Sequence, residues 1–138
     1  MTCEEHKKDP HWHGGCEKLN NGQPGWGGGK GLHLYAKVGW VQYNFAGTKL
    51  VSEVQIEQLK GYETKSLTIK VLKPRTTAQW VIIKVYKGNA KALTTYRVPN
   101  GGVAAAAVRI EMTGQPPKDP WVRMKQVRPT HQIVCATG

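Results

Sequence analysis

Residues 39–57 read GWVQYNFAGTKLVSEVQIE, and their spacing decides the fold. Val41, Tyr43 and Phe45 alternate with Gln42 and Asn44, while Val54 and Ile56 alternate with Glu53, Gln55 and Glu57. Successive side chains of a strand point to opposite faces, so a period of two marks strands with one buried face. Outward along the chain, Leu67, Ile69 and Val71 alternate with Ser66, Thr68 and Lys70. Val81, Ile83 and Val85 alternate with Trp80, Ile82, Lys84 and Tyr86. Turn residues separate these runs at Ala46-Gly47-Thr48, Lys60-Gly61-Tyr62, Lys73-Pro74-Arg75 and Lys87-Gly88-Asn89. Further strands are expected near 92–98, 104–112 and 121–128. The run VAAAAVRIEM has the alanine content of a helix, but it contains Val103, Val108 and Ile110 and follows Pro99-Asn100-Gly101-Gly102. It reads as a strand whose small residues let another layer approach. Seven or eight short strands with no competing helix predict an all-β, two-sheet antiparallel sandwich.

A chain of 138 residues is one domain's worth of sequence. Residues 1–18 are polar, carry three of the five histidines, and read as an N-terminal arm or edge segment. Residues 19–138 read as the sandwich, entered through LNNGQPGWGGGKG (19–31), whose six glycines and one proline make a long loop. No apolar run approaches the roughly 18–20 residues of a membrane-spanning helix. The N-terminal stretch MTCEEHKKDPHWHGG lacks the apolar core of a signal peptide, which fits a cytosolic chain or a mature end preceded by Met1.

Twenty Lys and Arg against nine Asp and Glu give a formal charge of +11. A surplus of this size favours anionic partners such as acidic glycans, nucleic acid or a phospholipid surface. Its plainer role is solubility. Catalytic signatures are absent: there is no G-x-S-x-G, no P-loop, no Rossmann glycine pattern and no HExxH. The chain is therefore not expected to be an enzyme. Cys3, His6, His11, His13 and Cys16 are ligand types for Zn²⁺ or Cu²⁺, but their spacing matches no familiar finger. A basic arm with a disulfide cysteine accounts for them without metal.

The order of motifs resembles the galactose-binding-like jelly rolls, the group of discoidin and coagulation-factor C domains and several carbohydrate-binding modules. LNNGQPGW (19–26) resembles that family's opening loop, and GWVQYNF (39–45) its strand of the form gWlqvdl. LVSEVQI (50–56), SLTIKVL (66–72) followed by Trp80, AVRIEM (107–112) and WVRMKQV (121–127) follow in the family's order. The resemblance spans about residues 16–129. It implies structural roles for Trp40, Trp80 and Arg109. Many carbohydrate-binding members hold a structural calcium near the opening loop and final strand. Here Asn21 replaces the usual Asp, and Lys125 or Gln126 the usual acid, so no cofactor is expected. Termini meet in such jelly rolls, which implies that Cys135 pairs with Cys3 or Cys16. The third thiol is then free or links two copies of the chain. Three reduced cysteines remain the alternative.

On that family's topology the loops 22–31, 34–38, 60–64 and 114–120 share one end. Trp26, Lys30, His33, Tyr35, Lys37, Tyr62 and Lys118 would converge there as a mouth of three aromatics, three lysines and a histidine. Aromatic faces with cations suit neutral or anionic glycans and phospholipid headgroups. The expected function is a lectin-like or adhesive module binding extracellular, acidic polysaccharide. The alternatives are a structural matrix or mineral-associated protein that holds a polyanionic surface, or a nucleic-acid or phospholipid binder.

Overall fold

A computed structural model describes residues 2–5, 32–34, 38–58, 64, 66–87, 93–113 and 122–133; for 122–133 and several strand-end residues it describes the backbone alone. Among these residues eight strands make the fold: β1 (Thr2–Glu5), β2 (Leu32–Leu34), β3 (Val38–Gln58), β4 (Ser66–Leu72), β5 (Trp80–Lys87), β6 (Leu93–Arg97), β7 (Val103–Thr113) and β8 (Val122–Ile133). The one helical element among the described residues is the 3₁₀ turn Pro99–Gly101. Every strand pairing is antiparallel.

β3 organises both layers. Its first half pairs with β1 and β7, and β7 carries β4 and then β5. Its second half pairs with β6 and β8, and β8 carries β2. Between Asn44 and Lys49 the register with β7 slips, so that Phe45, Ala46, Gly47 and Thr48 face Ala106 alone. The sequence reading placed a turn between two strands at 46–48. The chain instead stays in one 21-residue strand and bends through this bulge, with Gly47 at φ 96°, a left-handed conformation that glycine adopts without strain. The bend folds the two halves of β3 onto one core. Val41, Tyr43 and Phe45 from the first half pack in a single cluster with Val51, Val54 and Ile56 from the second. Leu67, Ile69, Val71, Ala105, Val108, Ile110 and Met112 complete it. Burying each large side chain here contributes about 1.5–3 kcal/mol. Ala105 and Ala107 are fully buried, as expected for a strand whose alanines admit close packing.

β5 departs from the expected pattern. The alternation predicted Val81, Ile83 and Val85 on one buried face, yet Val81 and Val85 are exposed. A register shift opposite Ile69 and Lys70 gives β5 one extra residue, Ile83, and reverses the phase along the strand. Among the described residues β5 pairs with β4 only, so it is an edge whose side chains lack a neighbour on one side.

Candidate functional site

Strand register gathers one set of strand ends at a single pole. Ser66 lies opposite both Thr113 and Lys87, and Val38 is opposite Thr113. In the other layer Gln58 is opposite Met124, Glu57 is opposite Leu93 and Leu34 is opposite Val122. Buried side chains tie the two layers together here. Gln58 Nε2 lies 3.9 Å from Met112 Sδ and 3.3 Å from Thr64 Oγ1, which in turn donates to Ser66 O at 3.1 Å. The Thr64 backbone N–H donates back to Gln58 Oε1 at 3.4 Å. Gln58 and Thr64 are essentially solvent-free, so their polar atoms need these partners.

The ends at this pole flank segments 35–37, 59–65, 88–92 and 114–121. Tyr35, Lys37, Tyr62 and Lys118 belong to three of those segments and lie outside the described residues. Segment 88–92, with Lys91, was not grouped with the mouth in the sequence reading; the antiparallel step from Lys87 to Leu93 is the signal for it. His33 sits in β2 with its backbone opposite Arg123. Trp26 and Lys30 fall between Glu5 and Leu32, outside the described residues, as do Cys16 and Asn21, and Cys135, after Ile133, also lies outside them. Cys3 is disulfide-bonded. Gln126 of the expected calcium region lies opposite Glu57. Among the described residues no three His, Cys, Asp or Glu side chains are grouped to hold a metal. Among them, too, no helix is long and apolar enough to cross a membrane.

The outer face of the β1–β3–β7–β4–β5 layer carries a second cluster. The Arg109 guanidinium lies 4.3 Å from the Trp40 ring centroid and 4.6 Å from that of Trp80. It donates to Gln42 Oε1 from Nε at 2.9 Å and from Nη2 at 2.6 Å. Gln42 Nε2 donates to Asn44 Oδ1 at 2.7 Å, and Lys70 Nζ meets Glu111 Oε1 at 2.9 Å. Arg109 is thus held between two indoles and by Gln42, and Asn44 Nδ2 reaches Thr2 Oγ1 at 3.4 Å, which fits a structural role for Trp40, Trp80 and Arg109.

At the open side of the sandwich Lys84 Nζ stands 5.2 Å from the Tyr86 ring centroid and 5.8 Å from that of Tyr96. Lys84 thereby bridges β5 of one layer and β6 of the other. Burial, helped by the neighbouring Tyr96, holds the Tyr86 phenol above its ordinary 10.0.

No protein-family model and no curated protein sequence matches the chain. Solved structures do. The chain is similar to chitosan-binding module 1 of a chitosanase/glucanase from Paenibacillus sp. IK-5, with TM-score 0.73 and 13% identity over 91% of each chain. It is similar to a family 32 carbohydrate-binding module of AlyQ in complex with 4,5-unsaturated mannuronic acid, with TM-score 0.70 and 14% identity over 98% of this chain and 95% of that one. A third is the family 32 module from C. perfringens NanJ in complex with galactose, with TM-score 0.72 and 10% identity over 91% of this chain and 90% of that one. With the strand order and the shared core described above, these likenesses give the chain the galactose-binding-like jelly-roll fold of carbohydrate-binding modules.

Proposed function

We propose that the chain is a non-catalytic, lectin-like module that binds an extracellular glycan at the pole described above. Trp26, Tyr35 and Tyr62 would offer apolar faces to sugar rings, and Lys30, His33, Lys37 and Lys118 would offer hydrogen bonds and charge. The observation that carries this reading, for Tyr35, Lys37, Tyr62 and Lys118, is the register that brings the ends flanking segments 35–37, 59–65, 88–92 and 114–121 to one end of the sandwich, while Trp26 and Lys30 rest on the resemblance alone. The similar modules, one named for chitosan binding and two in complex with galactose and an unsaturated mannuronic acid, support the ligand class.

Charge narrows the class. Chitosan is itself a polycation in mild acid, and a domain of net charge +11 repels it. A uronate or sulfated chain is attracted, so acidic polysaccharide is the favoured substrate. Such chains lie outside cells, which fits a secreted adhesive module, and the third cysteine provides a link between copies. The same charge also supports a second reading, a matrix protein that holds any polyanion.

Binding to a glycan array at low and high salt separates the two readings. Saturable binding to one acidic sugar type, competed by its oligosaccharide and retained in part at high salt, supports the lectin reading. Equal, salt-abolished binding to every polyanion supports the matrix reading. Trp26→Ala adds the site test: loss of one stacking face, by analogy worth ~1–3 kcal/mol, weakens affinity by roughly one to two decades. Unchanged affinity with a large fall in thermal midpoint shows Trp26 to be a packing residue.

A further inference from the structure

The hairpin Ser66–Lys87, β4 and β5 with their connecting turn, has no part in the proposed glycan site beyond Ser66 and Lys87 at its ends. Its surface is nevertheless unusual in three independent respects. Among the described residues the large apolar side chains left exposed are Val81, Ile82 and Val85, and all three stand on β5. Among those residues β5 also has no strand on its outer side. Finally, the hairpin carries five cations and not one Asp or Glu; Lys70 is paired with Glu111 and Lys84 stacked on Tyr86 and Tyr96, which leaves Lys73, Arg75 and Lys87 exposed for a partner. Glu111 on β7 is close, but it is held by Lys70 at 2.9 Å and lies 3.8 Å from Arg109.

An eight-residue strand that is an edge among the described residues and carries exposed aliphatic side chains offers a template for another strand. We propose that the β5 edge docks an extended, acidic polypeptide segment, which adds as a further strand beside it. The partner's backbone would pair with the side of β5 away from β4. Its apolar side chains would cover Ile82 and Val85 on the outer face, and its carboxylates would meet the hairpin cations.

The chemistry of the edge selects this occupant over three others. A second copy paired through β5 would bring the exposed Lys73, Arg75 and Lys87 of two hairpins together, and neither hairpin carries an acid to offset them. Glycans stack on flat aromatic faces, whereas the exposed groups here are aliphatic. A bilayer requires one apolar tip to insert, but Ile82 and Val85 face outward while Val81, opposite core residue Val71, lies on the other face. An extended strand alone meets side chains on both faces and also satisfies the edge backbone.

The experiment uses the full chain with a blocked peptide of alternating Glu and Val, and polyglutamate of the same charge as control. The expected result is saturable binding of the alternating peptide with slowed amide exchange along β5. Binding should weaken roughly tenfold in Lys73→Glu/Lys87→Glu and also fall in Ile82→Thr. Far-UV circular dichroism checks that both variants remain folded, and their exposed positions leave the core untouched. Several outcomes overturn the proposal. Polyglutamate bound equally well reduces the hairpin to a general polyanion patch. Self-association blocked by Ile82→Thr, with no peptide effect, assigns the edge to a second copy. Attachment to phosphatidylserine vesicles in place of peptide assigns it to a lipid surface, and no binding at millimolar peptide removes it altogether.

Discussion

Gln42 and Arg109 face each other across β3 and β7, and one amide oxygen of Gln42 accepts two N–H groups of Arg109 at 2.9 and 2.6 Å. Gln42 is buried, so that oxygen has little access to water. Replacing Arg109 with Ala strands it, at a cost of about 1–3 kcal/mol, and also forfeits two cation–π contacts of about 0.5–1 kcal/mol each. A melting temperature lower by roughly 5–15 °C is expected in a thermal scan. Arg109→Lys should recover only a small part, because a point charge cannot present the planar, two-pronged donor set between two indoles. Full recovery by lysine would show that charge alone, and not geometry, matters there.

Gly102 closes the Pro99–Gly101 turn with φ 130°, and its N–H donates to Pro99 O at 3.2 Å. A Cβ at this position would stand 2.7 Å from the Val51 carbonyl oxygen, which is backbone and cannot swing aside. Gly47 has φ 96° but open space around it. Gly102→Ala should therefore destabilise by more than Gly47→Ala, which bears only the ~1–2 kcal/mol of a left-handed backbone. Urea unfolding of the two variants side by side measures the difference.

The termini frame the bulge of β3. Thr2 lies opposite Asn44 and Ile133 opposite Lys49, and both β1 and β8 occupy the side of β3 away from β7. Cys135 follows Ile133 by two residues, a reach of up to ~7 Å. Cys3 is disulfide-bonded. Mass mapping of a non-reduced digest should accordingly give a peptide linking Cys3 to Cys135, with Cys16 as the third thiol. In the chain-entropy picture, reduction of so long a loop removes up to ~4–5 kcal/mol. A Cys3–Cys16 peptide would place the terminal staple elsewhere.

The layers of the fold were legible wherever alternation met a two-sided neighbour. β4 and β7 stand where the sequence put strands, and each has a strand on both sides to enforce phase. Two features were not legible. The Ala46-Gly47-Thr48 punctuation reads the same whether a chain turns back or bulges, and only pairing with both Ala107 and Ala105 decides. The phase of β5 depends on one extra residue, Ile83, accommodated on a strand that pairs with β4 alone among the described residues, which no local spacing encodes. Likewise the Trp40–Arg109–Trp80 stack joins residues distant in sequence through register. Of the mouth residues only His33 has its backbone described, and composition suggested the other members without fixing how they meet.

The Tyr86 phenol, held above 10.0 by burial and by Tyr96, gives an alkaline signature. The folded protein keeps this proton more firmly than the unfolded chain does. Its contribution to stability is therefore complete below about pH 10 and is lost as pH rises through the higher folded value. Tyr86→Phe has no proton to lose. The urea midpoint of the variant should fall less steeply than that of the parent above pH 10, with the two curves parallel below it. Phenolate absorbance should show the missing group to be a late-titrating one. Parallel curves at all pH values would mean that Tyr86 titrates alike in both states.

Gln58 links stability to the proposed site. Its side chain fills the pole where the two layers close, and its amide satisfies the N–H and hydroxyl of Thr64 at the base of segment 59–65. Gln58→Met keeps the volume and removes the hydrogen bonds, leaving the Thr64 N–H unpaired at a cost of about 1–3 kcal/mol. Gln58→Ala adds a cavity and should cost about 2–5 kcal/mol. The order of melting temperatures should be parent, then Met, then Ala. Binding discriminates more sharply than melting. If Tyr62 contributes from segment 59–65, both variants weaken glycan affinity even well below their melting temperatures, because the anchor of that segment has changed. Calorimetric titration of an acidic oligosaccharide into each variant measures this. Lower melting temperatures with undiminished affinity would detach segment 59–65, and Tyr62 with it, from the binding end.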